Sequence, residues 1–496
     1  MRIDDLMAES GVTFGTSGAR GLAVAMTDRV CYAYVLGFLQ HLRDCGGLGV
    51  GKEVGIAGDL RPSSERIMAA CAAAVTAMGL RPRNFGPIPT PALAAFGIAR
   101  EMPTMMVTGS HIPDDRNGIK FNTPHGEILK EDEAGIRRQR IALPADTLDS
   151  SGTFVRGAGG ALPAAESLAL DAYLRRYLDF FPAGCLARVR VGLYEHSSVA
   201  REAFLAVLTG LGAEVTRLGR SEVFVPVDTE AIRSEDVALA REWSADGRFD
   251  ALVSADGDGD RPLVADAHGA WLRGDVAGIL CARELGADGV VTPVSSNTAV
   301  ERCGWFRRVE RTRIGSPFVI AGMSRLVDAD LGSVVGYEAN GGFLTASDIV
   351  RDGCRLPALP TRDALIVAVT LLAAGPARGR PLSSLVDDLP PRFTDSDRLK
   401  AFPTEISRAR LAELSTGNAA RDRQAVDAIF ADDFGPVAAL DTTDGLRMTF
   451  ASGRIAHLRP SGNAPELRAY TEADSAEEAR AMTRRCLEIL ARWREH

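Results

Sequence analysis

No two of the eight cysteines (Cys31, Cys45, Cys71, Cys185, Cys281, Cys303, Cys354 and Cys486) stand in a C-x-x-C spacing, so the sequence offers neither a zinc-binding pattern nor a disulfide framework. Scattered free thiols suit a reducing compartment. Positive charge is not in excess either: the formal net charge is −8, which leaves no basic face for a nucleic acid. A local cluster of Arg and Lys can still serve an anionic substrate inside such a protein. Long hydrophobic runs are missing. The most apolar stretch, residues 364–375, is too short and too interrupted to span a bilayer, and Met1 Arg2 Ile3 Asp4 Asp5 lacks the apolar region of a signal peptide. A cytoplasmic protein with no membrane and no nucleic-acid partner is expected.

Three common functional signatures also fail. Gly46 to Gly51 followed by Lys52 approaches a P-loop, but Glu53 stands where a magnesium-binding Ser or Thr is required. That glycine run also follows a helix and opens a strand, the reverse of a P-loop. Ser110 is flanked by Thr108 and Ile112 and so lacks the G-x-S-x-G elbow of the α/β-hydrolases. The acidic run from Asp256 has Arg261 and Ala267 where an EF-hand needs Gly and Glu.

What is present is ordinary globular composition, 46% hydrophobic and 25% charged, with Gly 50 and Pro 25 implying many turns. At roughly 100 to 200 residues per domain, 496 residues imply about three to five. Met105 Met106 Val107 runs into Thr108 Gly109 Ser110 His111 Ile112 Pro113, which places a serine at the carboxyl end of a short buried strand, where open α/β sheets bind ligands. Before it, Phe14 to Gly21 is a glycine-rich loop carrying Arg20. Asp28 is expected to cap a helix bearing Val30, Tyr34, Phe38, Leu39 and Leu42. Residues 62–64 open a second helix, and Gly86 to Pro91 reads as a stiff connector. Alternating strands and helices of this spacing imply a parallel sheet.

Residues 152–163 read as a linker, after which the pattern restarts twice. A strand at 249–254 delivers Asp256, and another at 334–336 delivers Tyr337 and Glu338. The tail differs. Residues 445–450 and 454–458 alternate as a hairpin, 466–470 is a further strand, and Ser475 with Glu478 forms a capping box for a last helix.

Asp256, Asp258 and Asp260 alternate with glycines, so three carboxylates can turn toward one point and make an oxygen-only site for a hard cation such as magnesium. An acidic turn without metal is the alternative. Arg459 with Ser461, Gly462 and Asn463 offers a guanidinium fork, a hydroxyl and backbone N–H groups to a phosphate. A serine paired with a magnesium site points to phosphoryl transfer. Lys120 then serves as a proton carrier or as a cation on phosphoryl oxygens.

With these four loops in order, the chain resembles the α-D-phosphohexomutases over nearly its whole length. Thr108 to Pro113 is similar to the phosphoserine loop usually written T-A-S-H-N-P, Asp256 to Arg261 to the magnesium loop, Gly336 to Gly342 to the sugar loop, and Arg459 to Asn463 to the phosphate loop. Some positions depart. Ile112 replaces the usual Asn, Asn463 and Ala464 replace Thr and Glu, and Asn340 and Gly342 replace the Ser and His of G-E-x-S-G-H. Glu338 is the retained reader of hydroxyls.

The resemblance implies three related α/β domains with mixed, largely parallel sheets and a smaller C-terminal α+β domain around a central cleft, divided as 1–155, 156–269, 270–388 and 389–496. It implies Ser110, His111, Lys120, Arg20 and Arg261 in catalysis. For the substrate it implies Tyr337, Glu338, Asn340, Arg459, Ser461, Gly462 and Asn463, and for Mg2+ the oxygens of Ser110, Asp256, Asp258 and Asp260. The implied activity interconverts hexose 6-phosphate and hexose 1-phosphate through phosphorylated Ser110 and a bisphosphorylated sugar. Mannose 6-phosphate is the expected sugar phosphate, with glucose and glucosamine phosphates as alternatives and hexose 1,6-bisphosphate as activator. A sugar-phosphate phosphatase and a non-catalytic sugar-phosphate-binding protein are the readings from outside this activity.

Overall fold

The computed structural model describes every residue except 16, 50, 144–146, 156–158, 160, 462–464 and 495–496. Its first three sheets repeat one connectivity. In the first, the strands Glu53–Gly58, Arg81–Pro87, Thr104–Val107 and Arg116–Thr123 lie in the spatial order fourth, third, first, second. The first three run parallel, and the fourth returns antiparallel to the third. Arg190–His196, Glu214–Arg220, Ala251–Ala255 and Pro262–Asp266 repeat that order and those directions. So do Gly289–Pro293, Arg308–Thr312, Val334–Tyr337 and Phe343–Thr345.

The parallel pairing expected from strand–helix alternation therefore covers the first three strands of each unit. The antiparallel return is a hairpin that such alternation does not reveal. The first sheet also gains antiparallel strands Gly18–Leu22 and Thr13–Phe14 beyond Arg116–Thr123. In each repeat the connection from third to fourth strand is one of the motif loops: the Ser110 loop, the aspartate turn and the Glu338 loop.

Local sequence explains several helix ends. The helix Asp28–Asp44 is capped by Thr27, whose hydroxyl accepts from the Val30 backbone N–H, and not by Asp28. Asp28 occupies the first turn, where its carboxylate accepts from Arg66 at 2.8 Å and from the Phe154 backbone N–H at 2.9 Å. The stretch read as a connector runs from the end of the strand Arg81–Pro87 into the start of a helix, Thr90–Ile98, with Pro91 in its first turn, where a missing N–H costs nothing. Ser475 caps Ala476–Ala491 by accepting from Glu478 N–H at 3.1 Å. Only half of the expected box forms, because the Glu478 carboxylate accepts from Arg454.

The fourth sheet is antiparallel throughout, in the order Phe393–Leu399, Leu467–Ala473, Ile455–Pro460, Leu446–Phe450, Val437–Asp441. Two further helices, Thr404–Leu414 and Ala419–Phe434, pack with it. We propose unit boundaries at 155/156, 269/270 and 388/389, which leave one such sheet in each unit. One apolar cluster runs through the first three units, joining Phe85 and Phe96 to Tyr173 and Phe204 and to Tyr337 and Leu365. The fourth unit has its own cluster, including Phe402, Phe430, Leu458 and Trp493. Among the described residues no single helix is long and apolar enough to cross a membrane.

His457 in the fourth sheet is 2% exposed, its Nε2–H donates to the Asp444 carbonyl at 2.5 Å, and its Nδ1 is buried without a partner. Burial pushes its pKa down to about 4 from 6.5, because a proton on Nδ1 would find no acceptor in the fold. The unfolded chain takes up that proton first. Its stabilising contribution is therefore complete above about pH 6.5 and is lost as pH falls toward 4, by up to ~3 kcal/mol. Thermal melts across this range should show a steeper decline for the native chain than for His457→Gln.

Candidate active site

Ser110 is held in an unfavourable backbone conformation by a buried frame. Its φ is +56°, in the left-handed region that costs a residue with a Cβ on the order of 1 kcal/mol or more. Its N–H donates to Thr108 Oγ1 at 2.7 Å, and its carbonyl accepts from Arg61 Nη2 at 2.8 Å. Arg61 also donates to the carbonyls of Ile112, Pro113 and Arg116 at 2.6, 2.6 and 3.0 Å. Its own charge is met by Asp59, with Nε to Oδ2 at 2.9 Å and both side chains fully buried. Gly109 is required beside this frame, since a Cβ there would lie 2.6 Å from Arg61 Cζ. Arg61 and Asp59 stand about fifty residues before the loop they hold, and no motif signalled them.

The aspartate turn meets the serine directly. Ser110 Oγ donates to Asp256 Oδ2 at 2.5 Å, while Asp256 Oδ1 accepts from the backbone N–H groups of Asp260 and Arg261, both at 3.1 Å. Asp256, Asp258 and Asp260 are fully buried, and one oxygen from each lies within 4.8 Å of the others. Asp258 Oδ1 and Asp260 Oδ1 have no hydrogen-bond partner. Orphaned carboxylate oxygens converging on one point fit a hard cation, so the triad could hold a metal ion.

Burial and the two neighbouring carboxylates push the Asp256 pKa well above the usual range. Burial acts the same way on Asp258, but Lys120 beside it holds that carboxyl below its ordinary value. Lys120 lies beyond the Ser110 loop. It stands on the returning strand Arg116–Thr123, and its ammonium donates to Asp258 Oδ2 at 2.6 Å and Asp260 Oδ2 at 2.7 Å.

Ser110 and Lys120, with the buried aspartates behind them, lie in a cleft of about 540 Å³ lined from all four units. Arg20 and Arg261 lie in its wall, and burial, with Arg261 nearby, pushes the Arg20 pKa down to about 10. His111 Nδ1 accepts from Arg261 Nη1 at 2.9 Å and lies 3.3 Å from Ser110 Oγ. Burial and the Arg261 charge lower its pKa to about 3, so the ring is neutral near pH 7. Glu338 is 4% exposed, with Oε2 buried and unbonded. Asn340 lines the cleft and braces its loop by accepting from Gly342 N–H at 2.9 Å.

Tyr337 does not reach the cleft. As the last residue of a strand its side chain points opposite to that of Glu338, into the core against Gly278, and it is fully buried. From the fourth unit, Arg459 and Ser461 line the cleft, with Arg459 Nε 2.9 Å from Asp444 Oδ1. Gly462 and Asn463 lie outside the described residues.

The sequence reading missed Arg362, which pairs with Asp260 Oδ2 at 2.9 Å and approaches Glu338 Oε2 at 3.5 Å. Its neighbour Asp363 gives a local signal, as N-cap of the apolar helix Ala364–Arg378, but nothing nearby marks Arg362. Asp228, Glu230, Arg398 and Arg468 also line the cleft without a sequence signal.

The chain is similar to known proteins over most of its length. Family models described as phosphoglucomutase/phosphomannomutase alpha/beta/alpha domain I, alpha/beta/alpha domain III and C-terminal domain match residues 11–142, 273–393 and 407–488. A phosphomannomutase of Salmonella muenchen is 42% identical, over 96% of this chain and 95% of its own. One of Sinorhizobium fredii is 43% identical, over 97% and 99%. The crystal structure of a phosphoglucomutase/phosphomannomutase family protein from Burkholderia thailandensis superposes with a TM-score of 0.72 over 97% of both chains at 18% identity, which is a likeness of fold.

Replacing Lys120 by Met leaves two fully buried carboxylates short of a cation, which should cost about 3 kcal/mol or more in chelator. Saturating magnesium should restore part of that loss in thermal melts, and Asp258→Asn should weaken the magnesium response. A Lys120→Met melt indifferent to magnesium would remove the triad from consideration as a cation site.

Proposed function

The chain belongs to the phosphoglucomutase/phosphomannomutase family, and from that premise we propose that it is a magnesium-dependent phosphomannomutase converting mannose 6-phosphate to mannose 1-phosphate. The observation that carries the reading is Ser110 Oγ set 2.5 Å from a fully buried aspartate at the end of a cation-lined cleft. The two relatives above 40% identity favour mannose as the sugar.

Each side chain then has a task. The phosphoryl group on Ser110 Oγ passes to the free hydroxyl of the bound hexose phosphate: the serine O–P bond breaks, the sugar O–P bond forms, and the proton lost by the sugar hydroxyl is balanced by one gained at Ser110 Oγ. After the bisphosphate reorients, Ser110 takes the other phosphoryl group, and Asp256 Oδ2 lies within reach of the serine proton. Asp256, Asp258 and Asp260, with an oxygen on Ser110, would hold magnesium, which would supply charge neutralisation at the transferring group.

Lys120 balances the carboxylates and stands close enough to move a proton in the reacting group's vicinity. Beside the serine oxygen neutral His111 accepts at Nδ1 and the Arg261 guanidinium donates, and Arg20 adds positive charge. Glu338 and Asn340 accept from and donate to sugar hydroxyls, while Arg459 and Ser461, with Gly462 and Asn463, clamp the phosphate that is not reacting.

Ser110→Ala should abolish turnover and remove any phosphate carried covalently on the purified chain, and mass spectrometry reads the second effect directly. Dephosphorylated native enzyme should gain activity from a trace of hexose 1,6-bisphosphate. In parallel product assays, mannose phosphates should be isomerised with higher kcat/KM than glucose or glucosamine phosphates. Release of inorganic phosphate in place of isomerisation would identify a phosphatase.

A further inference from the structure

The second unit contributes to the cleft wall two carboxylates that the reading above leaves without a task, Asp228 and Glu230. The turn that bears them is fixed from both sides. Val227 is fully buried with Tyr194 and Leu263. Thr229, 2% exposed, donates its hydroxyl to the carbonyl of Asn340 at 2.6 Å. Asp228 Oδ1 accepts from the backbone N–H groups of Glu230 at 2.9 Å and Ala231 at 3.2 Å. Asp228 therefore shapes the turn, and Thr229 ties it to the loop that carries Glu338.

Glu230 is different. Its carboxylate oxygens take no hydrogen bond and no ion pair from the described residues, although Arg273, Arg468 and Arg261 are near enough to feel its charge. Burial and the Asp228 charge raise its pKa, as expected for a carboxylate lacking donors. A bare carboxylate in a cleft that admits a phosphate dianion repels that ligand unless the ligand brings it a donor. The donors on a hexose phosphate are its ring hydroxyls.

We propose that Glu230 is a specificity-determining residue that accepts a hydrogen bond from a ring hydroxyl of the bound hexose, so that the sugar is read from the second unit as well as by Glu338 of the third. The proposal rests on the mutase reading. It assigns recognition to a side chain outside all four motif loops, positioned by the Thr229 to Asn340 bond.

The test is a coupling measurement. Native enzyme, Glu230→Ala and Glu230→Gln are assayed with mannose 6-phosphate and its 2-, 3- and 4-deoxy analogues, and melting temperatures establish that the variants fold. A hydrogen bond to a charged acceptor predicts a roughly ten- to hundred-fold loss of kcat/KM in Glu230→Ala with the parent sugar. It also predicts that one deoxy analogue, already poor with native enzyme, suffers little further loss in that variant. Glu230→Gln, which keeps a carbonyl acceptor, should lose less. An equal loss with every analogue, or a change under twofold with the parent sugar, overturns the assignment. A native enzyme that isomerises none of the parent hexose phosphates overturns the mutase reading itself, and the proposal falls with it.

Discussion

Three carboxylates closed into one turn and removed from water repel one another strongly, because burial takes away the solvent that would screen them. Asp256, Asp258 and Asp260 are in that position, and the surroundings answer with cations from other units. Lys120 comes from the first unit and Arg362 from the third, each bonded to an aspartate oxygen, while Arg261 follows the turn itself. The compensation is incomplete by design of the geometry, since an oxygen of Asp258 and one of Asp260 remain unbonded. The same charge imbalance that draws three units to one point leaves ligand positions for a cation beside Ser110.

The repeated connectivity explains how three separate segments arrive there. In each of the first three units the third strand ends at a loop and the fourth returns antiparallel beside it. The serine, the aspartates and Glu338 thus occupy equivalent hairpins. A continuous apolar cluster through these units fixes the hairpins against one another. The fourth unit, with its own core, delivers Arg459 and Ser461 to the same cleft from an antiparallel sheet. The groups around Ser110 and the pair Arg459 and Ser461 therefore belong to differently anchored parts of the molecule.

At Ser110 backbone strain coincides with a reactive side chain. Ser110 adopts its left-handed conformation because Arg61 collects four carbonyls of the surrounding loop, and Arg61 can be buried because Asp59 neutralises it. In this seat the hydroxyl is aimed at Asp256 Oδ2.

Motifs determined by short-range chemistry were legible in the sequence. Gly109 beside Ser110, the alternating aspartates, Glu338 at a strand end and Arg459 before a turn all announce themselves through neighbours within a few residues. The same holds for the apolar periodicity of the helices and for Ser475 as a cap. Tyr337 was misplaced because adjacent residues of a strand face opposite ways, and which face meets the core depends on Gly278 of a distant helix. Arg61, Arg362 and Glu230 could not be found by spacing at all, since each acts on residues at least forty-nine positions away or carries no local signature. Sequence by itself determined which chemical groups the chain possesses and the order in which its loops appear. Only the tertiary structure decided which of those groups share one buried volume, because charge compensation across units is a property of packing and leaves no periodicity along the chain.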